Sequence, residues 1–322
     1  MNWKKLQNGS DIRGVALEGI EGKHVNLTPE VIETIAKSFV RWIRNTIGCQ
    51  TPKIAIGTDS RLSGATIKNA FIKGAVEAGA DIIDCSLAST PAMFMTTVND
   101  DVQATASVMV TASHLPYNRN GLKFFTPKGG LDNRDIADIL DIAERGDYAY
   151  DGAAGHSATL DFMTIYSSHI ADYICQGVHA DDYEHPLKGM HIVVDAGNGG
   201  GGFFERILSQ LGADTKGSQF LDPDGRFPNH IPNPENAEAM GSVCRAVADS
   251  DADLGVIFDT DVDRSAIIGR NGEPINRNAL IALIASVILE EHPHSTIVTD
   301  SVTSDGLADF ISRKGGRHHR YR

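Results

Sequence analysis

The chain has 322 residues, of which 41% are hydrophobic, so it can bury a sizeable core; at roughly 100 to 200 residues per domain, it should form two or three domains. This composition excludes a disordered or a fibrous protein. The formal net charge of -13 argues against a nucleic-acid partner, because phosphate backbones are bound by basic surfaces.

Neither a disulfide framework nor a membrane segment is indicated by the pattern of residues. The four cysteines are widely spaced and form no C-x-x-C pair: Cys49, Cys85, Cys175 and Cys244. The longest apolar stretch runs from about Ala279 to Leu289, which is shorter than the ~20 residues that span a bilayer. Residues 1–7 contain two lysines with no apolar segment after them, so a secretory signal is not expected. We therefore expect a reducing, cytoplasmic location.

One unit recurs along the chain: an apolar strand, a loop of small or hydroxyl residues, an amphipathic helix and a glycine-containing turn. The three copies begin at Lys53, His191 and Thr296, and their helices are predicted at about 65–78, 204–211 and 307–313. Repeated strand, crossover helix and strand predict an α/β fold. We expect consecutive domains, each with a mixed, largely parallel sheet flanked by helices.

Changes in composition mark the domain boundaries. Residues 145–157 are polar and rich in small side chains, which is typical of a linker, and a helix over 162–175 should open the second domain. The turn at 270–273 precedes a helix over 277–291. The third domain should be incomplete, because the chain stops where another strand would be expected. The predicted domains are 1–152, 153–271 and 272–322.

Two glycine-bounded loops of the first domain carry arginines. Residues 8–14 place Arg13 near the beginning of the chain, where a simple surface turn is the favoured interpretation of the loop taken alone. Residues 57–64 lead into a helix whose free amides could accept an anion, with Arg61 nearby. Ser63 is also an ordinary helix N-cap, so capping explains the second loop equally well.

Ser113 stands at the end of an apolar strand over about 104–110, in a loop that is broken at Pro116 before a short strand resumes at 122–125. A serine in this place should be exposed and fixed in position, whereas the alternative is a hydroxyl that caps a turn. The loop contains no G-x-S-x-G motif, so a hydrolase triad is not supported.

Three aspartates follow the apolar strand at 254–258. Along an extended chain, residues two apart project to the same side, so Asp259, Asp261 and Asp263 can converge. A hard divalent cation removes their repulsion, and oxygen ligands suit Mg²⁺. Arg264 adds a planar, charged fork suited to phosphate. A solvated acidic loop is the alternative, but ligand sites of α/β proteins lie at the ends of buried strands.

Together these segments resemble the α-D-phosphohexomutases, of the phosphomannomutase/phosphoglucomutase type. Residues 111–123 resemble the phosphoserine loop of that family, and residues 259–264 resemble its D-G-D-x-D-R metal loop. Residues 9–14 resemble its N-terminal loop on the phosphate side, and residues 223–235 resemble a proline-rich stretch of the family.

The resemblance implies an isomerase that interconverts hexose 1-phosphate and hexose 6-phosphate through a bisphosphorylated sugar. Ser113 would be phosphorylated in the resting enzyme and would ligate Mg²⁺ together with the three aspartates. Lys123 would act as an acid or base, and Arg13 would help to steady the transferring phosphoryl group. The side chains expected to bind the phosphosugar substrate are Arg264, His114 and Arg61.

Two departures from the family pattern limit this inference. Leu115 stands where many members have asparagine, which indicates a variant branch. The chain also ends before the family's sugar-recognition loop and its fourth domain, so we expect poor mutase activity from this chain by itself. Neither the preferred hexose nor the oligomeric state is indicated by the sequence.

Three other interpretations stay open. Gly197–Gly202 matches G-x-G-x-x-G, with Asp222 about twenty residues on, as in a dinucleotide-binding oxidoreductase. Asp259 could be the nucleophile of a metal-dependent phosphatase, because a D-x-D motif after an apolar strand is typical of that class. The chain could also be a non-catalytic fragment that binds phosphosugars.

Overall fold

The computed structural model describes residues 2–321, which form three consecutive α/β units. Met1 and Arg322, the outermost residues of the predicted domains, lie outside the described residues. The predicted fold class is confirmed: mixed sheets with helices packed against them follow one another along the chain. Within residues 2–321, the helices are all too short or too polar to cross a membrane.

The first unit is built on a mixed sheet of eight strands. Its strands are β1 (Gln7–Asn8), β2 (Asp11–Val15), β3 (Lys53–Thr58), β4 (Asp81–Leu87), β5 (Ala106–Val110), β6 (Arg119–Thr126), β7 (Gly129–Gly130) and β8 (Ser157–Thr159). Its helices are α1 (Pro29–Thr46), α2 (Gly64–Glu77), α3 (Thr90–Met95) and α4 (Asn133–Arg145), and a 3₁₀ turn covers Trp3–Leu6. The strand order is β1-β2-β6-β5-β3-β4-β8, with β7 paired to β6. Strands β5, β3, β4 and β8 run parallel, and the remaining pairs are antiparallel.

The second and third units have smaller sheets. The second unit contains α5 (Phe162–Val178), β9 (Ile192–Asp195), α6 (Phe203–Gln210), α7 (Ala237–Ser250), β10 (Leu254–Phe258) and β11 (Ser265–Gly269). Strand β10 pairs with β9 in parallel and with β11 antiparallel. The third unit contains α8 (Arg277–Glu291), β12 (Thr296–Thr299), α9 (Asp305–Arg313) and β13 (Arg317–Arg320), and its two strands are parallel.

Local sequence signals account for the helices. Asp132 caps α4 by accepting hydrogen bonds from the amides of Arg134 and Asp135, and Gly146 ends the helix with φ of 68°. Helix α1 buries its apolar face on the first sheet, where the ring of Phe39 lies 4.6 Å from that of Phe124. The packing of α1 holds this helix against the sheet, and the loops that follow the strands of that sheet carry the polar residues described below.

The boundary of the first unit differs from the prediction. Strand β8, residues 157–159, pairs with β4 at the edge of the first sheet, so this sheet continues past the predicted boundary at 152. All three residues of β8 are exposed, and the strand is held by backbone pairing alone. A strand without buried side chains leaves no hydrophobic pattern in the sequence, so the composition of residues 145–157 predicts a linker and not the approach to a strand.

The carboxyl ends of parallel strands from the first two units face each other. The backbone amide of Thr90, which follows β4, donates to the carbonyl of Asp261, which follows β10, over 2.8 Å. The loops after β3 and β5 lie at the same edge of the first sheet. Polar side chains that follow four strands are therefore gathered at one junction between the units.

Candidate active site

Ser113 lies at this junction in a constrained loop. Its backbone has φ of 52°, a left-handed conformation that is uncommon outside glycine, and its amide donates to Thr111 Oγ1 over 2.8 Å. Its Oγ donates to Asp259 Oδ2 over 2.9 Å and accepts from Arg264 Nη2 over 2.7 Å. The serine is fixed in position, as the sequence predicts, but it is only 5% exposed because the second unit covers it.

Arg61 has a different place from the one the sequence suggests. Its side chain is fully buried, so it has no surface with which to contact a substrate. Its guanidinium donates instead to backbone carbonyls of residues 111–119, here called the serine loop; the carbonyls belong to Ser113, Leu115, Pro116 and Arg119. Arg61 therefore holds the loop that carries Ser113, and the prediction that it binds substrate is corrected to a structural role.

Asp59 is the buried partner of Arg61. Its Oδ2 lies 3.3 Å from Arg61 Nε and accepts a hydrogen bond from Thr111 Oγ1 over 2.7 Å. Burial raises the pKa of Asp59 to about 6, even though the charge of Arg61 opposes the shift. The pair links the ends of β3 and β5, from which the serine loop begins.

The three aspartates converge as predicted, but through a turn and not along an extended strand. The amide of Val262 donates to the carbonyl of Asp259 over 3.2 Å, and the amide of Asp259 donates to the carbonyl of Arg264 over 3.1 Å. Val262 has φ of 65°, which is a strained conformation for a β-branched residue. The turn closes the hairpin between β10 and β11 and brings the carboxylate oxygens within 4.8 Å of one another.

Lys123 and Thr90 from the first unit contact this carboxylate cluster. Lys123 Nζ lies 2.8 Å from Asp261 Oδ2 and 2.5 Å from Asp263 Oδ2, and Thr90 Oγ1 donates to Asp261 Oδ2 over 2.5 Å. Burial alone would lower the pKa of Lys123, but the two carboxylates outweigh it and raise that pKa. Lys123 is therefore a cation whose charge the cluster stabilises.

Within the cluster, the pKa values of Asp259 and Asp261 are shifted in opposite directions. Burial, followed by repulsion from Asp261 and Asp263, raises the pKa of Asp259 to about 7. Burial would likewise raise the pKa of Asp261, but the charge and the hydrogen bond of Lys123 lower it. Carboxylates held together at this cost are typical of sites that bind a cation.

The residues present fit a divalent metal ion. The three carboxylates supply only oxygen ligands, which hard cations such as Mg²⁺ prefer. Asp261 Oδ1 is buried and, within residues 2–321, has no hydrogen-bond partner, so one ligand atom of the cluster is left unsatisfied. Ser113 Oγ lies beside the cluster through its contact with Asp259.

The remaining predicted residues line a cleft of about 480 Å³ that opens onto Ser113. Arg13 forms an ion pair of 2.7 Å with Asp11 and directs Nη1 to the carbonyl of Ala112 at 3.4 Å. His114 is exposed, and its Nδ1 lies 2.7 Å from Arg264 Nη2. Burial, followed by the positive charge of Arg264, lowers the pKa of His114, so its imidazole is neutral at neutral pH. The structure thus brings Arg13, His114, Lys123 and Arg264 together around Ser113.

Sequence reasoning missed three residues of the site: Thr90, Asp11 and Asp59. Thr90 follows β4 and Asp59 follows β3, so each stands at the carboxyl end of a parallel strand. That position was a usable signal, because the ligand sites of open α/β sheets lie at this edge. Asp11 stands two residues before Arg13 on β2. Residues two apart on a strand share a face, so the spacing could have indicated that the two side chains are neighbours.

The glycine run at 197–202 supports the aspartate loop, residues 259–264. The amide of Gly200 donates to the carbonyl of Thr260 over 2.8 Å, and a Cβ at Gly199 would lie 2.8 Å from the backbone of Thr260. A Cβ at Gly202 would lie 2.2 Å from the carbonyl oxygen of Leu221. These glycines allow close approach of the protein's own backbone, which explains the run without a dinucleotide.

Two family models match the chain. The model described as phosphoglucomutase/phosphomannomutase, alpha/beta/alpha domain I, matches residues 4–149. The model described as domain II of the same proteins matches residues 166–272. The two matches cover the units that hold the serine loop and the aspartate loop.

Individual relatives agree with the family models. The chain is 29% identical over 302 residues to a phosphoglucomutase from Neisseria meningitidis serogroup B, and 32% identical over 319 residues to a phosphoglucomutase/phosphomannomutase from Thermococcus kodakarensis. These matches cover 94% and 97% of this chain, but 62% and 66% of the respective relatives. A crystal structure of a phosphoglucomutase/phosphomannomutase family protein from Burkholderia thailandensis superposes with a TM-score of 0.84 at 25% identity. That superposition covers 98% of this chain and 65% of the other.

Proposed function

Because the chain belongs to the phosphoglucomutase/phosphomannomutase family, we propose that it carries the phosphoryl-transfer site of an enzyme that interconverts hexose 1-phosphate and hexose 6-phosphate. One observation carries the proposal. Ser113 Oγ, from the first unit, lies within hydrogen-bond reach of Asp259 and Arg264, from the second. A nucleophilic oxygen is thereby placed beside a carboxylate cluster and a guanidinium, which is the set of groups that phosphoryl transfer requires.

Ser113 Oγ is the proposed carrier of the phosphoryl group. When the group passes to a sugar hydroxyl, the bond from phosphorus to Oγ breaks, a bond from phosphorus to the sugar oxygen forms, and the hydroxyl loses its proton. The second phosphoryl group of the sugar then returns to Oγ by the same exchange. Arg264 already contacts Oγ, so its guanidinium can follow the phosphoryl oxygens through both transfers. Arg13 and His114 line the cleft from which the sugar would approach.

Lys123 is the proposed acid and base. Its ammonium is held by Asp261 and Asp263, so it is protonated at rest, and it can donate a proton to an oxygen that gains negative charge once these contacts weaken. To accept a proton from a sugar hydroxyl, Lys123 must first lose one, which requires weaker contact with the two carboxylates. In a loose transition state the hydroxyl proton leaves late, so positioning and charge contribute more than the basicity of Lys123.

We assign the metal site to Asp259, Asp261 and Asp263 together with an oxygen on Ser113. Mg²⁺ is the proposed ion, because it prefers oxygen ligands and often takes a phosphate oxygen as a further one. When bound, the ion would neutralise negative charge on the transferring phosphoryl group. The carboxylates themselves need such a cation, because burial and their mutual repulsion raise the pKa of Asp259 to about 7 in its absence.

A phosphatase that uses Asp259 as its nucleophile is less well supported. Asp259 is fully buried, and both of its oxygens accept hydrogen bonds: Oδ1 from the amide of Arg264, and Oδ2 from Ser113 and the guanidinium. A carboxylate engaged in this way is poorly placed to attack phosphorus. Ser113 stands between Asp259 and the cleft, so a substrate in the cleft would meet the serine first.

We also propose a phosphosugar substrate and a cytoplasmic location for this chain. A phosphosugar suits a cleft lined by Arg13, Arg264 and Lys123, whose positive charges complement phosphate. All four cysteines are free thiols, which supports the proposed cytoplasmic location.

Phosphorylation of Ser113 tests the proposed function directly. We expect peptide mapping by mass spectrometry to find phosphate on Ser113 after incubation with Mg²⁺ and a hexose 1,6-bisphosphate. Ser113→Ala should abolish the modification, and Ser209→Ala, on the exposed surface of α6, should leave it unchanged. Phosphate on Asp259 would contradict the proposal in favour of the phosphatase. Phosphosugar binding by calorimetry without any modification would favour the non-catalytic fragment.

A further inference from the structure

The proline-rich segment Asp222–Asn236, here called the proline loop, is used by none of the steps above. It lies between α6 and α7 in the chain and contains neither helix nor strand. It nevertheless buries a titratable side chain, because His230 is 5% exposed. Loops of this length without regular structure need specific anchors to keep one conformation.

His230 is anchored by two oxygen acceptors. Its Nε2 lies 3.0 and 3.1 Å from the two carboxylate oxygens of Asp195, at the end of β9, and its Nδ1 lies 3.1 Å from the carbonyl oxygen of Ile231. The carbonyl oxygen of Ile231 can only accept, and an ionised Asp195 also only accepts, so we assign protons to both ring nitrogens. His230 and Asp195 therefore form a buried pair of imidazolium and carboxylate, with side chains that are 1% and 0% exposed.

The surroundings of His230 favour this charged form. The negative groups that face it are Asp195 from β9 and, at longer range, Glu238 from α7. The ring of Phe220 packs against it edge to face at 5.3 Å between centroids, and Gly197 leaves room for its Cε1. Burial alone would lower the pKa of His230, but the hydrogen bond and the charge of Asp195 outweigh burial and raise it.

The carboxylate of Asp195 is held as firmly as the imidazolium. Its Oδ1 accepts from the amide of Gly197 over 2.9 Å, and its Oδ2 accepts from Gln219 Nε2 over 2.7 Å. Gln219 Nε2 in turn donates to Ser242 Oγ on α7 over 2.9 Å. The anchor of the proline loop is therefore built into the sheet and a helix of the second unit.

From this anchor the proline loop reaches both guanidinium groups that hold Ser113. Gly225 lies against the first unit so closely that a Cβ there would be 2.4 Å from the carbonyl oxygen of Ser60. The ring of Phe227 lies 5.4 Å from the guanidinium carbon of Arg61. Asn233 Oδ1 accepts from Arg264 Nη1 at 3.4 Å. The proline loop thus contacts both arginines: Arg61 holds the backbone of the serine loop, and Arg264 donates to Ser113 Oγ.

We propose that His230 is a positioning residue: its charged pairing with Asp195 fixes the proline loop, and the proline loop keeps Arg61 and Arg264 in place around Ser113. The order of the serine loop is therefore coupled to the charge of a side chain outside the cleft. Only the consequence of this coupling for phosphoryl transfer rests on the proposed function.

The sign of the pH dependence follows from the raised pKa of His230. The stabilisation is fully present below the ordinary histidine value of 6.5 and is lost as the pH rises through the higher value in the folded protein. The proline loop and the serine loop should both loosen in alkaline solution.

Hydrogen exchange measured by mass spectrometry tests the coupling without an activity assay. In His230→Gln the side chain is uncharged and cannot donate to both acceptors. We expect exchange to become faster, by about tenfold for loss of one charged hydrogen bond, in peptides covering 222–236 and 111–119. Strands β9 and β10 should keep their protection. His24→Gln, at an exposed histidine, is the matched control and should change neither loop.

Three results would overturn the proposal. The first is faster exchange confined to 222–236, because the coupling would then stop at the proline loop. The second is an equal loss of protection in β9, β10 and both loops, which indicates a merely structural histidine. The third is a ratio of variant to wild-type exchange that does not fall as the pH rises above 6.5, since the wild-type protein should lose the charge of His230 as the pH passes its raised pKa.

Asp195→Asn provides a second variant if His230→Gln does not fold. It removes the negative charge that holds the imidazolium, and we expect the same two loops to loosen. Nitrogen NMR of labelled histidine then reads the charge state itself: both nitrogens of His230 should be protonated at neutral pH in the wild-type protein and not in Asp195→Asn. A neutral His230 in the wild-type protein would contradict the proposal. Absence of phosphate on Ser113 would count against the proposed function and would leave the exchange result standing.

Discussion

At the scale of single residues, the site contains a buried carboxylate and a strained backbone, and each is stabilised by contacts with neighbouring side chains. Asp259 is a buried acid next to two others, and its position is kept by Ser113 and Arg264. Ser113 has a left-handed backbone, which the carbonyl contacts of Arg61 hold in place. Strained or electrostatically costly residues of this kind persist where the surroundings determine them strongly, and they concentrate at functional sites.

The raised pKa of Asp259 predicts that Mg²⁺ binding depends on pH. The ion needs the ionised carboxylate, so binding below a pKa of about 7 must displace a proton, and affinity should fall by about tenfold for each pH unit. Without metal, the stability that comes from a protonated Asp259 is lost as the pH rises through about 7. We therefore expect Mg²⁺ to raise the Tm more at about pH 8 than at about pH 5.5, as measured by differential scanning fluorimetry.

Two variants check the source of this pH dependence. Asp259→Asn should reduce the gain in Tm at high pH, because a ligand and its titration are both removed. Asp309→Asn, at an exposed position of α9, should behave like the wild-type protein. An equal gain in Tm at both pH values in the wild-type protein would contradict the assignment of the metal to this cluster.

At the scale of elements, the loops of the site are shaped by close backbone packing. The aspartate loop is a tight turn between β10 and β11, and the backbone of its Thr260 is in contact with the glycine run that follows β9. Glycine is needed there because any side chain would collide with backbone atoms, which cannot move away as a flexible side chain can. The glycine run is thus part of the support of the aspartates.

Gly202→Ala should destabilise the second unit. The new methyl group would meet the carbonyl oxygen of Leu221 at 2.2 Å, and overpacking of this kind costs about 1 to 3 kcal/mol. Gly177→Ala is the matched control, because a Cβ at that helical position has no neighbour within 4 Å. Its free energy of unfolding should be unchanged or raised by up to about 1 kcal/mol. Urea denaturation compares the two, and equal stabilities would contradict the packing argument.

At the scale of the whole molecule, the site exists only where two units meet. The first unit supplies Ser113, Lys123 and Thr90, and the second supplies the carboxylate cluster and Arg264. Apolar side chains of α5, such as Phe162, pack against the first unit near α3. The contacts at the site itself are polar and charged, and several are nearly free of solvent, so they are directional as well as attractive. A change in the angle between the units would separate the serine from the aspartates.

Thr90→Val should weaken the junction between the two units. The substitution keeps the shape of the side chain but removes the hydrogen bond from Thr90 Oγ1 to Asp261, and a bond to a charged group contributes about 1.5 to 3 kcal/mol. We expect a lower free energy of unfolding in urea. Thr34→Val is the control, because Thr34 Oγ1 bonds to a carbonyl on the exposed face of α1 and the change should lie within about 0.5 kcal/mol. Similar losses in both variants would contradict a specific role for the junction.

The sequence by itself determined the type of fold and the identity of the chemical groups. The periods of strands and helices can be read from short stretches of sequence. The position of a residue directly after a parallel strand, where ligands bind in α/β proteins, can be read in the same way. These signals were sufficient to predict the α/β class and the carboxylate cluster of Asp259, Asp261 and Asp263. They also identified Ser113 as a candidate site residue. They placed each group on its own strand end.

Only the tertiary structure decided which strand ends meet and which side chains face the cleft. Ser113 and Asp259 are 146 residues apart, and their contact depends on the packing of two separate sheets. Arg61 carries the same charge as Arg13, but carbonyl groups of a distant loop bury it completely. Burial, the strained turn at Val262 and the pairing of β8 are likewise set by neighbours that are remote in sequence. Local patterns carry no record of such neighbours, which is the physical reason that they identify the groups, whereas the family resemblance and the tertiary structure bring Ser113 and the aspartates together.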